Sequence, residues 1–280
     1  MTKILFPTDF SKTAKNAYLY ALTMARAIDA EIVVLHSFLL PLIDESGIPA
    51  NFKEVYDMLE FTNQEKLDEH LIFLNKVASK RGFEDIITSS VLKSGDLHLA
   101  MEQVVEQQGI NLVVMGTSGT TGWFESTLGS QTGDAIASLS IPVMSIPLGL
   151  KFTQINTIGF ANLYREKDFD ALQKLCAMTA PFNSSIKSIF VKKPNSEVTQ
   201  EQIAVWESRC AGLNVQFFVI PDDDVRETID DFITSQNIDV LAMLTEKRGF
   251  FQELFNSSLT QKLSNKLDIP ILAFHEQEKN

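Results

Sequence analysis

The sequence predicts an α/β protein in which helices cover parallel β-sheets, and three observations support that class. Short apolar runs without polar alternation, such as residues 112–115, are typical of strands buried on both faces. Segments with apolar residues at helical spacing separate these runs. The strand–helix pattern of the first half then starts again after residue 150. Strands that alternate with helices favour a parallel sheet with helices on both of its faces.

Length and charge narrow the classes of function. The chain has 280 residues, which is enough for one large or two ordinary domains, and 45% of them are hydrophobic. The formal net charge of -12 argues against a nucleic-acid surface, which needs basic patches, and against adsorption to anionic membranes. No leader peptide or membrane-spanning run is visible, so we expect a soluble cytoplasmic protein. Cys176 and Cys210 lie far apart, without metal or redox spacing, and we expect buried thiols.

The first half alternates strands with helices. The predicted strands are 4–7, 32–35, 86–92, 112–115 and 141–146, and the predicted helices are 14–25, 51–81, 97–108 and 130–139. Partial alternation in 86–92 is typical of an edge strand. Asp96 stands before the third of these helices as its N-cap, and Gly109 ends it.

The second half repeats the pattern after a linker at 147–150. Its predicted strands are 155–160, 186–191, 215–220, 240–244 and 271–274, and its predicted helices are 168–180, 198–211, 225–236 and 259–267. Residues 110–146 align with residues 238–274 without a gap, which indicates an internal repeat of one domain. We therefore predict two tandem domains, 1–148 and 151–280.

A glycine-rich loop follows the buried strand at 112–115. Gly116 and Gly119 are separated by two residues, nine more residues lie between Gly119 and Gly129, and Ser130 begins a helical pattern. Glycines allow a backbone to approach a ligand closely, and the free N–H groups at a helix start favour an anion. Open α/β sheets bind ligands at the carboxyl ends of their strands. The arrangement therefore predicts a phosphate site in which backbone N–H groups hold the oxygens.

The spacing of these four residues resembles the G-2x-G-9x-G-(S/T) motif of ATP-binding universal stress proteins. Residues 4–11, with the sequence ILFPTDFS, are similar to the opening strand and turn of the same family. The resemblance covers residues 1 to about 148 strongly and residues 151–280 weakly. It implies a Rossmann-like, doubly wound fold with a five-stranded parallel sheet of order 3-2-1-4-5 in each domain. That order places the turn after the first strand opposite the glycine loop.

The resemblance also implies an ATP site. Asp9 would accept hydrogen bonds from the ribose, although capping the following helix is its alternative role. Thr8 would line the adenine side of the turn. Ser37 stands where the family often has a valine that contacts adenine through its backbone, and Met115 would touch the base or belong to the core. The complete set of predicted ATP-binding residues is Pro7, Thr8, Asp9, Ser37, Met115, Gly116, Gly119, Gly129, Ser130, Gln131 and Thr132.

The second half lacks the corresponding side chains. In the ungapped alignment Leu244 replaces Gly116 and Ser257 replaces Gly129. At the front of the second half, residues 161–163 take the place of residues 7–9, so Leu163 replaces Asp9. A leucine at the first glycine would fill the space for a nucleotide, and a leucine cannot accept a ribose hydrogen bond. We therefore expect the second domain to be a degenerate copy, kept for structure or partner contacts.

The predicted function is a universal stress protein that binds ATP in its first domain and links nucleotide occupancy to a stress response or signal. The chain has no G-K-[ST] sequence and no visible general base or dedicated Mg²⁺ carboxylate beyond Asp9. We therefore expect binding with at most slow hydrolysis, and Mg²⁺ would arrive with the nucleotide. His36 and His98 show no catalytic pattern.

Other functions remain open at the level of sequence. The main alternative is a scaffold protein of the same fold that binds no nucleotide. An adenylyltransferase or ATP pyrophosphatase would carry H-x-G-H or S-G-G-x-D-S, which are absent. A flavin-binding electron-transfer protein is a further alternative. For partners, we expect the two domains to pair through strands 141–146 and 271–274, since unpaired edges tend to be covered, with a homodimer as a further state.

Overall fold

A computed structural model of the chain describes residues 2–40, 52–116, 135, 139–147, 149–150, 152, 154–245 and 269–275. By compactness the chain divides into two units, Met1–Met115 and Gly116–Asn280. In both units the strands are mainly parallel and alternate with helices, so the α/β class predicted from the sequence is confirmed. No helix in the described part of the chain is long and apolar enough to cross a bilayer.

The first unit is a parallel sheet with helices between its strands. Its elements are β1 (Thr2–Pro7), α1 (Lys12–Ala27), β2 (Ala30–Phe38), α2 (Phe52–Ser79), β3 (Thr88–Ser94), α3 (Leu97–Gln108) and β4 (Leu112–Gly116). The strand order within the unit is β3-β2-β1-β4, with every pair parallel. This order agrees with the predicted doubly wound sheet, and it places β3 at the edge as expected.

Local sequence explains where these helices lie and end. Alanines at 14, 17, 21 and 25 form the buried face of α1, so that helix lies close against the sheet. The side chain of Asp96 accepts hydrogen bonds from the N–H groups of His98 and Leu99, and Gly109 ends α3 in a left-handed conformation. Both features of α3 were predicted from the sequence.

The second strand is longer than predicted. The prediction ended it at residue 35, but β2 continues parallel to β3 as far as Phe38, which lies opposite Ser94. His36 and Ser37 therefore belong to the strand and not to a following loop. Because side chains alternate along a strand, these two residues point to opposite faces of the sheet.

The second unit has the same kind of sheet. Its elements are β5 (Val143–Ile146), β6 (Thr157–Ala161), α4 (Glu166–Thr179), a 3₁₀ turn (Ala180–Phe182), β7 (Ser185–Lys192), α5 (Gln200–Arg209), β8 (Val215–Pro221), α6 (Val225–Ser235), β9 (Val240–Thr245) and β10 (Ile271–His275). The order is β5-β10-β9-β6-β7-β8. Counted from β6, it is the predicted order 3-2-1-4-5. Only β5 and β10 pair antiparallel among the described strands.

Unusual backbone conformations recur at matching places in the two halves. Phe10 follows β1 with a φ of 65°, and Tyr164 follows β6 with a φ of 58°. Gly109 precedes β4 with a φ of 65°, and Asn237 precedes β9 with a φ of 50°. Residues other than glycine adopt positive φ only rarely. Their recurrence shows that the backbone takes the same path at both pairs of positions.

Candidate functional site

The turn after β1 is organised around Thr8, which is buried. Its N–H donates to the carbonyl oxygen of Leu35 at 2.8 Å, which ties the turn to β2. Its hydroxyl oxygen accepts a hydrogen bond from the N–H of Phe10 at 3.1 Å and lies 3.2 Å from Nε2 of His70. Thr8 therefore shapes the turn with both its backbone and its side chain.

Asp9 and Ser11 complete the turn. Oδ1 of Asp9 accepts a hydrogen bond from the N–H of Ser11 at 3.0 Å, and the side chain of Ser11 caps α1 by accepting from the N–H of Ala14 at 3.2 Å. Ser11, rather than Asp9, is thus the N-cap. Asp9 is exposed, and within the described residues its Oδ2 makes no hydrogen bond. That second oxygen is free to accept hydrogen bonds from a ligand at the rim of the sheet.

Two histidines flank Phe10 beside this turn. The ring of Phe10 lies 4.3 Å from the ring of His36 and 5.0 Å from the ring of His70, between ring centroids. Nδ1 of His36 donates to the carbonyl oxygen of Thr8 at 2.9 Å. Phe10 also holds the positive φ described above, and such conformations cluster at functional sites. These contacts hold the turn against β2 and α2.

The protonation of His70 follows from its surroundings. Burial lowers the pKa of His70, the nearby His36 lowers it further, and Asp9 opposes both effects. A neutral His70 can accept a hydrogen bond through Nε2 from the Thr8 hydroxyl. The lowered pKa and the contact with Thr8 therefore favour the same neutral state.

The end of β4 lies next to this turn. Leu5 of β1 pairs with Val113 of β4, and two residues further on the strands reach Pro7 and Met115. Met115 is buried, and Gly116 ends β4. The structure therefore brings the ends of β1, β2 and β4 to one edge of the sheet. The predicted residues at this edge are Pro7, Thr8, Asp9, Ser37, Met115 and Gly116. The other predicted residues, Gly119, Gly129, Ser130, Gln131 and Thr132, lie outside the described residues.

His70 of α2 is a residue of this site that was not predicted from the sequence. His70 lies three residues after Leu67 and four before Leu74, both of which are fully buried. Residues at this spacing share one face of a helix, so the pattern already placed His70 on the face that packs inward. The described residues contain no group of three or more His, Cys, Asp or Glu side chains that could hold a metal ion.

The matching turn of the second unit has different chemistry. Asn162 stands in place of Thr8, and its N–H donates to Ile189 while its Oδ1 accepts from the N–H of Tyr164 at 2.9 Å. The buried carboxylate of Asp168 accepts hydrogen bonds from the N–H groups of Leu163 and Arg165, and it forms an ion pair with the Arg165 side chain at 2.7 Å. In this turn the buried carboxylate of Asp168 therefore stabilises the backbone.

Comparisons with known proteins agree on one family. The model of the universal stress protein family matches residues 1–147. The chain is 29% identical over 160 residues to universal stress protein MJ0577 of Methanocaldococcus jannaschii, a match that spans 51% of this chain and 93% of that protein.

Solved structures of universal stress proteins match almost the full length of the chain. A universal stress protein from Archaeoglobus fulgidus covers 98% of both chains with a TM-score of 0.73 and 17% identity. One from Pseudomonas aeruginosa covers 98% of this chain and 93% of its own, with a TM-score of 0.62 and 12% identity. At these identities the structures show the shared fold.

Some family members have been solved with adenine nucleotides. One from Arabidopsis thaliana has AMP bound, and another is in complex with cAMP. Each covers 52% of this chain, with TM-scores of 0.36 and 0.39, which is too weak a likeness to assign a ligand here.

Proposed function

Because this chain belongs to the universal stress protein family, we propose that its first domain binds ATP and couples nucleotide occupancy to a stress response or signal. One observation carries the proposal: the turn at Thr8 and Asp9, the end of β2 and the end of β4 meet at one edge of a parallel sheet. Open α/β sheets bind ligands at this edge, where the strand order reverses.

The proposed placement of ATP uses the chemistry of that edge. Adenine lies beside Thr8 and Ser37, and the ribose hydroxyls donate to the exposed carboxylate of Asp9. The phosphates lie over the glycines at 116–119 and the helix start at 129–130, where backbone N–H groups hold their oxygens. The turn itself is held by Thr8 and Ser11, so Asp9 can contact the ligand without the turn being rebuilt.

The proposed chemistry is binding with at most slow hydrolysis. Rapid phosphoryl transfer needs a positioned base and dedicated metal ligands. Asp9 is the only carboxylate in the described turn from residue 7 to residue 11, and it already accepts one backbone hydrogen bond. Mg²⁺ enters with the nucleotide in this proposal.

The organisation of the chain is part of the same proposal. We place the domain boundaries at 1–148 and 151–280 and propose that the two domains pair through β5 and β10. Ile271 pairs antiparallel with Ser145, and Oγ of Ser145 donates to the carbonyl oxygen of Ile271 at 3.3 Å, which supports that pairing. Cys176 and Cys210 are both free thiols, which is consistent with the cytoplasm. A homodimer is a further proposed state.

The test has two parts. Protein purified without added nucleotide is denatured, and the released small molecules are identified by mass spectrometry. Calorimetry then measures Mg-ATP binding to the wild type, to Gly129→Val and to the matched control Ser257→Val, which changes the aligned residue of the second half. We expect about one ATP per chain, loss of binding in Gly129→Val, and unchanged binding in Ser257→Val.

A second pair of variants separates the two possible roles of Asp9. Asp9→Asn keeps an oxygen for the N–H of Ser11 but loses the charge and one acceptor, whereas Asp9→Ala loses both. If Asp9 binds the ribose, both variants weaken ATP binding by about 10-fold, since a lost hydrogen bond to a charged group costs about 1.5 kcal/mol. If Asp9 serves the turn alone, Asp9→Asn binds ATP like the wild type.

Other results would change the conclusion. Two nucleotides per chain would contradict the degenerate second domain. A chain that carries no nucleotide and gives no heat with Mg-ATP would be the scaffold protein instead.

A further inference from the structure

The second unit contains a cavity that the proposed function does not use. It has a volume of about 560 Å³ and lies where β6 and β7 end, beside the start of α6. Its floor consists of apolar side chains from two strands and one helix, namely Ala161, Ile189, Val191 and Ile229. Cavities that bind small molecules have volumes of about 300–1,000 Å³ and mostly apolar linings.

The cavity lies at the position that corresponds to the proposed ATP site. Pro7 pairs with Leu35 in the first unit, and Ala161 pairs with Ile189 in the second. Two residues beyond those pairs, β2 has Ser37 and β7 has Val191. The position that is polar in the first unit is therefore apolar in the second.

The polar side chain of the turn beside the cavity, Asn162, makes its hydrogen bonds within the second unit. The amide nitrogen of Asn162 donates to Oγ of Ser188 at 2.9 Å and to the carbonyl oxygen of Ile189 at 3.0 Å, while its Oδ1 accepts from Tyr164. Leu163 lines the cavity where the first unit has the carboxylate of Asp9. A ribose would meet a leucine side chain at this point.

Charges at the rim limit how much negative charge a ligand can carry. Lys193 lines the rim, and no carboxylate of the described residues lies within ion-pair distance of its ammonium group. Arg226 also lines the cavity, but so do Asp223 and Asp224. The carboxylate of Asp224 already occupies the start of α6, where it accepts from the N–H groups of Arg226 and Glu227. Two acidic groups repel a polyphosphate, whereas Lys193 can pair with a single carboxylate.

We propose that this cavity, lined by Ala161, Val191 and Ile229 with Lys193 at its rim, binds a small monocarboxylate with an apolar body. The apolar body lies on the floor, between β7 and α6, and the carboxylate pairs with Lys193. The second domain is then a binding domain with a changed ligand, not an inert copy.

Decanoate is the probe for this site, with 1-decanol as the uncharged comparison. Calorimetry on the full chain should show one decanoate site per chain whose affinity is the same with and without Mg-ATP. Val191→Phe fills the floor and should weaken decanoate binding at least 10-fold while leaving ATP binding unchanged. Ser37→Phe, the matched change in the first unit, should weaken ATP binding and leave decanoate binding unchanged.

A second variant covers the case in which Val191→Phe does not fold. Lys193→Met keeps an apolar stem and removes the charge, so it should weaken decanoate binding at least 3-fold and leave 1-decanol binding unchanged. The proposal is wrong if decanoate does not bind at millimolar concentration, if Ser37→Phe abolishes decanoate binding, or if ATP displaces decanoate from the wild type. Failure of ATP binding alone would overturn the proposed function and leave this result unaffected.

Discussion

The two β–α turns of this chain have the same backbone conformation but are stabilised by different side chains. Phe10 and Tyr164 both have positive φ, and in each turn the N–H of that aromatic residue donates to a side-chain oxygen two residues earlier. In the first turn short hydroxyl side chains supply the bonds, and the Asp9 carboxylate is exposed. In the second turn Asn162 accepts from Tyr164, and the buried Asp168 accepts from Leu163 and Arg165. A backbone framework can therefore persist after its binding chemistry has changed.

The difference between the turns extends to what each can bind. The first leaves a carboxylate oxygen at the sheet edge, which suits a sugar hydroxyl. The second uses its polar side chains internally and leaves apolar side chains at the cavity. The few polar atoms of a turn can form hydrogen bonds either within the turn or with a ligand. A turn whose polar atoms already bond to one another therefore has fewer atoms left to bind a ligand.

The largest expected effect, on the free energy of unfolding, comes from replacing Asp168, whose carboxylate stabilises the second turn. Asp168 is 1% exposed, and its carboxylate binds two backbone N–H groups and the Arg165 guanidinium. Asp168→Ala would remove the acceptor from these three donors. Each hydrogen bond to a charged group contributes about 1.5–3 kcal/mol, and the Arg165 side chain is partly exposed, so we expect a loss of about 3 kcal/mol in the free energy of unfolding. Urea unfolding followed by Trp206 fluorescence, in a Trp123→Phe background, would measure the loss, because Trp206 packs on Tyr164 in this turn.

Asp9→Ala is the matched change in the first turn. It removes one exposed hydrogen bond to the N–H of Ser11, so we expect a loss of at most about 1 kcal/mol in the free energy of unfolding. Equal losses in the two variants would contradict the claim that the turns are held by different means.

A smaller effect is expected at Asp230 on α6. Burial raises the pKa of Asp230 to about 6, Arg226 opposes the shift, and nearby acidic groups add to it. Within the described residues its Oδ1 is buried without a hydrogen-bond partner. The folded chain therefore binds more protons than the unfolded chain between about pH 4 and pH 6, so stability falls as the pH rises through this range.

Asp230→Asn should remove that pH dependence. A shift of about two pKa units corresponds to about 3 kcal/mol, but the group is half exposed, so we expect a gain of about 1–2 kcal/mol at pH 7 and none at pH 4. Glu102→Gln is the matched control, because Glu102 is the sixth residue of α3, as Asp230 is of α6. Oε1 of Glu102 lies 3.4 Å from Nε2 of His98, and 43% of the Glu102 side chain is exposed. A gain that is equal at both pH values would rule out titration of Asp230 as the cause.

The sequence predicted the fold better than it predicted the details of the site. Apolar runs and helical spacing placed the strands because burial on both faces leaves a local pattern, and the bounds of α3 were predicted correctly. The contacts of His36 and His70 with Thr8 could not be predicted, since they join residues far apart in the sequence. The cavity at Val191 could not be predicted for a similar reason. The loss of the polar residues predicted a second domain that binds no nucleotide, whereas the cavity is formed by residues of β7 and α6, which are far apart in the sequence.

The smallest expected effect is a pH response of opposite sign in the first unit. Because burial and His36 lower the pKa of His70, the unfolded chain binds the proton more readily. The stability contributed by neutral His70 is complete above about pH 6.5 and is lost as the pH falls through its lowered pKa. Acidification from pH 7 to pH 5 should therefore loosen the first turn while it stabilises α6.

Hydrogen exchange measured peptide by peptide, corrected for the intrinsic effect of pH, separates these two responses. Peptides from α2 should lose protection at pH 5, and those from α6 should gain it. His70→Gln retains a polar side chain but cannot be protonated, so it should abolish the change in α2 and leave that in α6 intact. If α2 still loses protection at pH 5 in His70→Gln, the response comes from another group.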